Sequence, residues 1–241
     1  MTAPTRLEIL ALVGMPEVRP GDDIAGLVVE AAAGSLPAGL ADGDVVVVTQ
    51  KIVSKAEGRL VAIDPDDPAG HRAVVDEESV RVLRRRGDLV ISETRHGFVC
   101  ANAGVDVSNV ARGFAALLPE DPDRSARRIR AGIGARAGVK VAVIVSDTFG
   151  RPWRRGVTDV AIGCAGIGAV LDLRGSTDGA GRVLAVTEVA VADELAGAAD
   201  LVMGKASGVP VAVVRGVQRS WLRRGEVRAE IVRPPAEDLF R

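Results

Sequence analysis

Apolar residues along this chain fall into two rhythms. Short continuous runs rich in β-branched residues mark strands covered on both faces. They occupy residues 45–48, 139–145 and 210–216. Looser runs predict further strands at 6–13, 89–91, 157–162, 171–175 and 183–189. Helical spacing is the second rhythm. Ile24, Leu27, Val28 and Ala31 share a face behind Asp22 or Asp23 as cap. Residues 71–86 read as a helix with Val74, Val75, Val82 and Leu83 apolar. Its last turn would be the solvated Arg84-Arg85-Arg86, where cations complement the macrodipole. Asp121 as cap, with Pro122 in the first helical position, starts a helix to about Ala137. Residues 191–203 form another, closed by Gly204.

Helices and strands intermingle, and several strands follow one another directly. The expected fold is α/β, with mixed parallel and antiparallel sheets flanked by helices. Neither G-x-G-x-x-G nor G-x-x-x-x-G-K-[ST] occurs, so it is not expected to be a Rossmann or P-loop fold. No repeat, low-complexity tract or long linker divides the 241 residues, which are read as one domain, 1–241.

Composition narrows the partners. Hydrophobic residues make up 47%, enough for a sizeable core, but no run is long enough to span a bilayer. The N-terminus lacks a signal-peptide pattern. Cys100 and Cys164 show neither metal nor disulfide spacing, which suits a reducing, cytoplasmic setting. His71 and His96 are too few for a histidine-rich metal site. The net charge of −1 gives no attraction to nucleic acid, and an aromatic content of only 2%, with Tyr absent, leaves few stacking platforms. Small-molecule partners remain. Lysine is scarce: only Lys51, Lys55, Lys140 and Lys205 occur, two of them within residues 50–55.

Three polar segments carry the candidate chemistry. The strand of residues 139–145 is expected to stop at Asp147, so that a carboxylate and the Thr148 hydroxyl leave its end together. Arg151, Arg154 and Arg155 follow, with Gly150, Pro152 and Gly156 breaking regular structure. Open α/β sheets place ligands at such ends. Asp and Thr oxygens suit a hard cation, and arginines suit phosphate or carboxylate. A strand-to-turn junction with a solvated basic loop explains the same residues. The second segment places Asp106, Ser108 and Asn109 beside Gly104, either to present oxygens or simply to turn. The third runs from Gln50 through Lys55 beyond a buried strand; its lysine is a point charge for phosphate or an ordinary exposed residue. No Ser-His-Asp set is evident and neither Cys has a His neighbour in sequence. A metal-nucleotide reaction in which the protein positions groups and offsets charge fits better than covalent catalysis.

Several motifs occur together in a characteristic order. They are Gly14-Met15-Pro16-Glu17, Gly21-Asp22-Asp23, Asp42-Gly43-Asp44 with its valine strand, and residues 50–58. After these come Ala103-Gly104-Val105-Asp106 with Ser108-Asn109, Leu118-Pro119, residues 147–154 beginning Asp147-Thr148-Phe149-Gly150, and residues 210–216. In this the chain resembles the coenzyme F420:L-glutamate ligase family over residues 7–240. Within it, the chain resembles the N-terminal ligase domain of the actinobacterial two-domain enzyme, down to the tail ending in Asp238-Leu239-Phe240. The resemblance implies a GTP-dependent amide ligase of F420 ligase-type fold. It would add L-glutamate to coenzyme F420-0 and then a second, γ-linked glutamate, through an acyl phosphate, releasing GDP and phosphate. It implies Mg²⁺ or Mn²⁺, with K⁺ a further candidate, held by Asp106, Asp147 and Thr148. Met15, Pro16, Glu17, Val18, Gln50, Lys55 and Asn109 would contact GTP, and residues 203–210 match a further nucleotide segment more loosely. Asp106, Asp147 and Lys55 would be catalytic, and Arg151, Arg154 and Arg155 are candidate anion contacts. At Gln50 close relatives can carry serine. A homodimer is implied, as is addition of mainly one or two glutamates in the absence of a second domain.

Other classes explain part of the same pattern. A metal-dependent phosphohydrolase would show metal and arginines alike, a regulator would bind GTP without turnover, and a ligase of this fold could take another acceptor. Glutamate-dependent release of GDP and phosphate separates the ligases from the first two.

Overall fold

The valines at 45–48 have no exposed surface at all. Successive strand residues face opposite ways, so this strand is covered on both sides. In the computed structural model, which describes residues 4–240, the elements run in order. They begin with β1 (Glu8–Ala11), α1 (Ile24–Ser35), β2 (Val45–Thr49), α2 (Gln50–Ala56), β3 (Leu60–Ala62), α3 (Pro68–Glu78), β4 (Ser79–Arg86), β5 (Leu89–Thr94) and β6 (Val99–Ala101). They continue with β7 (Phe114–Ala116), α4 (Pro122–Ala137), β8 (Ala142–Arg151), β9 (Arg154–Ala165), β10 (Leu171–Asp172), β11 (Glu188–Val189), α5 (Val191–Met203), β12 (Val211–Arg215) and α6 (Val227–Glu230).

The main sheet has the order β1-β12-β2-β8-β9. Only β2 and β8 pair parallel; the other neighbours are antiparallel. Helix α5 packs across this sheet, and α4, backed by α1, packs on β8 and β9. Smaller sheets, β3-β7 and β4-β5-β6, stand beside it. With α3 they enclose a second apolar cluster around Val75, Val90, Ala115 and Leu117. The expected mixed α/β architecture is therefore the observed one.

Several expected elements differ. The helix predicted over 71–86 ends at Glu78, and residues 79–86 form β4. The Ser79 hydroxyl donates to the Val75 carbonyl, its oxygen lies 2.8 Å from the Ser92 hydroxyl, and the chain turns extended there. Val80 and Val82 then alternate with polar neighbours against β5, a period-2 pattern. The three arginines thus lie on a strand, and Arg85 pairs with Asp76. The strand expected to stop at Asp147 continues to Arg151 in a hairpin with β9. Residues 50–56, read only as a polar segment, form α2. The run 183–189 keeps two strand residues, Glu188–Val189. Asp23 stands at the α1 cap position without a capping bond, because its carboxylate pairs with Arg136 on α4. Asp22 accepts instead from the Arg19 N–H.

Gly163 lets α4 sit directly on β9. A Cβ there would lie 2.3 Å from the Pro122 carbonyl carbon and 2.4 Å from its oxygen. These are backbone atoms at a helix start pinned by the Asp121 cap, which accepts from the Arg124 N–H. Gly163→Ala is expected to cost about 1–3 kcal/mol, a fall in Tm of roughly 2–12 °C for a chain of this size. An unchanged melting curve would contradict this close approach.

His96 joins the small sheet to the body of the protein. Its Nε2–H donates to the carbonyls of Pro119 and Glu120, at 2.9 and 3.1 Å, while the buried Nδ1 has no protein partner. Burial, first, holds its pKa below 6.5, and Arg95 adds to this against the raising effect of the two carbonyls and Glu78. The folded protein therefore binds fewer protons at this ring than the unfolded chain. That stability is fully present above pH 6.5 and is lost as pH falls through the lowered folded value. Melting temperature is expected to drop less on acidification from about pH 7.5 to about pH 5.5 in His96→Gln than in the wild type. Equal slopes would remove His96 as the cause.

Candidate active site

Parallel pairing of β2 and β8 puts their carboxyl ends side by side, with Thr49 opposite Ser146. Antiparallel β12 brings its start to the same end, where the Thr49 N–H donates to the Pro210 carbonyl. The chain leaving β1 arrives there too, since Leu12 N–H donates to Val211 O. A cleft of about 970 Å³ opens among these segments. Its walls are Met15 to Val18, the first turn of α2, the chain around Asp106, strand β8 at Asp147, and the segment entering β12.

Each wall is fixed by local structure. Asn102, Ala103 and Gly104 all take left-handed backbone, with φ of 50°, 52° and 73°. Asn102 Oδ1 accepts the Val90 N–H, and a Cβ on Gly104 would strike the Leu118 side chain at 2.7 Å. This turn delivers Asp106, whose backbone exchanges two hydrogen bonds with Ala116. Asp106 accepts the Ser108 N–H at 2.6 Å and lies 2.8 Å from Lys51 Nζ. Burial would raise its pKa, but the bonds from Lys51 and Ser108 more than reverse this, and its carboxyl sits below the ordinary value.

Asp147 behaves in the opposite way. Enclosure in the cleft floor, first, pushes its carboxyl up to about 7; Asp159 and Asp106 add repulsion, and the Thr148 N–H and Lys51 only partly offset it. A bulge in β9, where Val145 faces Gly163 but Ser146 faces Ala161, sets the register beyond it. Thr148 then lies opposite Asp159. Buried Asp159 accepts from the hydroxyls of Ser146 at 2.9 Å and Thr148 at 2.6 Å, and from Lys205 at 2.8 Å. Lys205 also pairs with Asp200 at 2.9 Å and donates to Thr148 Oγ1. Burial would lower the Lys205 pKa, but these carboxylates raise it.

The expected site residues Met15, Pro16, Glu17, Val18, Gln50, Lys55, Asp106, Asn109, Asp147 and Thr148 all line this one cleft. Lys55 is buried rather than an ordinary surface lysine, and its ammonium is held by exposed Glu17. Gln50 is buried with its Oε1 accepting from Ser54, so its side chain is engaged within α2. The Thr148 hydroxyl is directed to Asp159 and Lys205. Of the looser segment, residues 204–206 and 208–210 line the cleft, whereas Met203 is core. Arg151, Arg154 and Arg155 stand at the β8–β9 hairpin tip outside the lining, and Arg151 donates to the carbonyls of Arg155 and Gly156.

Sequence reasoning missed Asp159 and Asp200 as members of the site, and covered Lys51 and Lys205 only as parts of the segments 50–55 and 203–210 without assigning either a role. A charged residue inside the apolar stretch 157–162 was the available signal for Asp159. For the lysines it was scarcity: three of the chain's four line the cleft.

A mixed sheet whose parallel pair opens onto a polar cleft at its carboxyl ends defines a protein that takes a small ligand there. Residues 13–216 match the family described as F420-0:Gamma-glutamyl ligase. With most of its length matched, the chain belongs to that family of ligases. Among its relatives, the coenzyme F420:L-glutamate ligase of Methanothermobacter thermautotrophicus is 43% identical, over 98% of this chain and 99% of that protein. The protein of the same name from Methanopyrus kandleri is 44% identical, over 93% and 94%. That from Haloarcula marismortui is 41% identical, over 98% and 96%.

Proposed function

We propose that this protein is a coenzyme F420:L-glutamate ligase that spends GTP to join L-glutamate to coenzyme F420-0, and then adds a second, γ-linked glutamate. The observation that carries this reading is the convergence of the nucleotide and metal residues implied by the family, drawn from separate stretches of chain, on one cleft. An oxygen of the acceptor's terminal carboxylate would bond to the γ-phosphorus as the bond to GDP breaks. The amine of glutamate would then bond to the acyl carbon, phosphate would leave, and the amine would pass its surplus proton to solvent. Lys55 would set its charge against the phosphates, and the cleft walls would hold acceptor and nucleotide in line.

Mg²⁺ or Mn²⁺ belongs to this reading, and the charges of the cleft fit it. Five carboxylates, Glu17, Asp106, Asp147, Asp159 and Asp200, face three lysines. A polyphosphate would be repelled there unless a cation came with it. Among the described residues no three His, Cys, Asp or Glu side chains gather as a complete metal cage. Asp106 and Asp147 would therefore hold the cation together with substrate phosphates, as Mg²⁺ sites commonly do. When bound, it would offset charge on the phosphates.

We also place a homodimer in this reading. Val80, Val82 and Leu83 on β4, Leu89 on β5 and Val99 on β6 are exposed apolar residues of one small sheet. Light scattering is expected to report twice the 25.0 kDa of one chain at micromolar concentration. A monomer that is fully active would end that part of the proposal. Among the described residues no helix is long and apolar enough to cross a membrane.

The deciding experiment is mass spectrometry of coenzyme F420-0 incubated with the protein, GTP, Mg²⁺ or Mn²⁺, and glutamate. Mass gains of one and two glutamyl units, with GDP and phosphate formed only when glutamate is present, are expected. Phosphate release independent of glutamate would indicate a hydrolase, and binding without turnover a regulator.

A further inference from the structure

Lys51 has no task in the proposed reaction, yet the fold places it among the site's carboxylates. Helix α2 starts directly after β2, beside the parallel strand that carries Ser146 and Asp147. Its first turn therefore holds Lys51 over the cleft. The ammonium lies 2.8 Å from Asp106 Oδ2 and 2.8 Å from Ser108 Oγ, and its charge also acts on Asp147. The side chain is largely enclosed, with 18% of its surface exposed. Asp106 and Asp147 repel one another, and an ammonium between them offsets that repulsion.

We propose that Lys51 is an exchangeable counterion: it neutralises Asp106 in the ligand-free protein and is released to the nucleotide's phosphates when a divalent cation takes its place. The inference rests on the reading of Asp106 and Asp147 as cation-holding residues. A cation arriving alone must displace Lys51 from Asp106 and leave its ammonium without that counter-charge, held only by the Ser108 hydroxyl. A nucleotide arriving alone meets a lysine already occupied and carboxylates facing its phosphates. Arriving together, each supplies what the other removes. Cation and nucleotide therefore bind with positive coupling, and linkage requires the coupling to be the same in both directions.

The test is Mn²⁺ uptake by the full chain, measured from loss of the free-ion electron paramagnetic resonance signal, with and without GDP or a non-hydrolysable GTP analogue. Wild type, Lys51→Met and Lys51→Gln are compared after their folding is checked by melting temperature. Wild type is expected to bind Mn²⁺ about fivefold or more tightly with nucleotide than without. Both variants, lacking the internal competitor, are expected to bind Mn²⁺ alone more tightly than wild type and to show a smaller nucleotide enhancement, the part that remains coming from phosphates that ligate the cation directly. Unchanged or weaker Mn²⁺ binding in folded variants, with normal uptake by wild type, would overturn the exchange alone. No Mn²⁺ uptake by wild type even with nucleotide would overturn the cation reading itself and the exchange with it.

Discussion

Asp147→Asn and Asp106→Asn are each expected to lower kcat by about a hundredfold or more while the melting temperature stays close to that of the wild type. The two carboxylates have different surroundings but would share one task. Asp106 is held by a backbone exchange with Ala116 and by Ser108, so amide replacement leaves its position intact. Asp147 sits in β8 just past the end of β2, paired with Val160 on β9, and its carboxyl is pushed up to about 7 by burial and then by Asp159 and Asp106. Removing its charge relieves repulsion in the resting protein, so stability should not suffer. The loss should instead fall on the step in which negative charge gathers on the phosphates. The measurement is single-turnover product formation at saturating GTP, glutamate and metal, alongside thermal melts. Near-normal turnover in either variant at saturating metal would remove that carboxylate from the site. Full loss of folding would show a structural role instead.

Lys55→Ala should weaken GTP about tenfold to a hundredfold, the scale of one charge-assisted hydrogen bond, and leave the KM for glutamate nearly unchanged. Lys55 lies on α2, buried, with its charge against Glu17. Glu17 itself is 74% exposed in its side chain, so losing its partner leaves a hydrated carboxylate and not a buried orphan. The fold therefore has little reason to respond, and the effect should show as nucleotide affinity. Lys55→Arg should rescue only in part, because a planar fork does not replace a compact ammonium. Fluorescence titration with a labelled GTP, paired with glutamate KM, reads both halves. GTP affinity equal to that of the wild type would remove Lys55 from nucleotide binding.

The sequence by itself determined the layers of this protein and most members of its cleft. Buried strands announce themselves because both faces must be apolar, as at Val45 to Val48, and helices through their end signals, Asp121 and Pro122 starting α4 and Gly204 closing α5. The residues implied by family likeness, among them Asp106, Asp147 and Lys55, proved to lie on one cleft. Only the tertiary structure decided the rest. Whether residues 79–86 extend a helix or form a strand depended on β5 lying alongside, since the local pattern suits both. Whether Asp147 ends a strand depended on β9 folding back to pair with it as far as Arg151. Asp159 entered the site through a cross-strand register set by a bulge, and Lys51 met Asp106 because a parallel strand pair and a left-handed turn bring distant stretches together. Periodicity reports what one segment buries. It carries no information on which partner a charge will meet across the fold, and in this cleft those partners set the electrostatics.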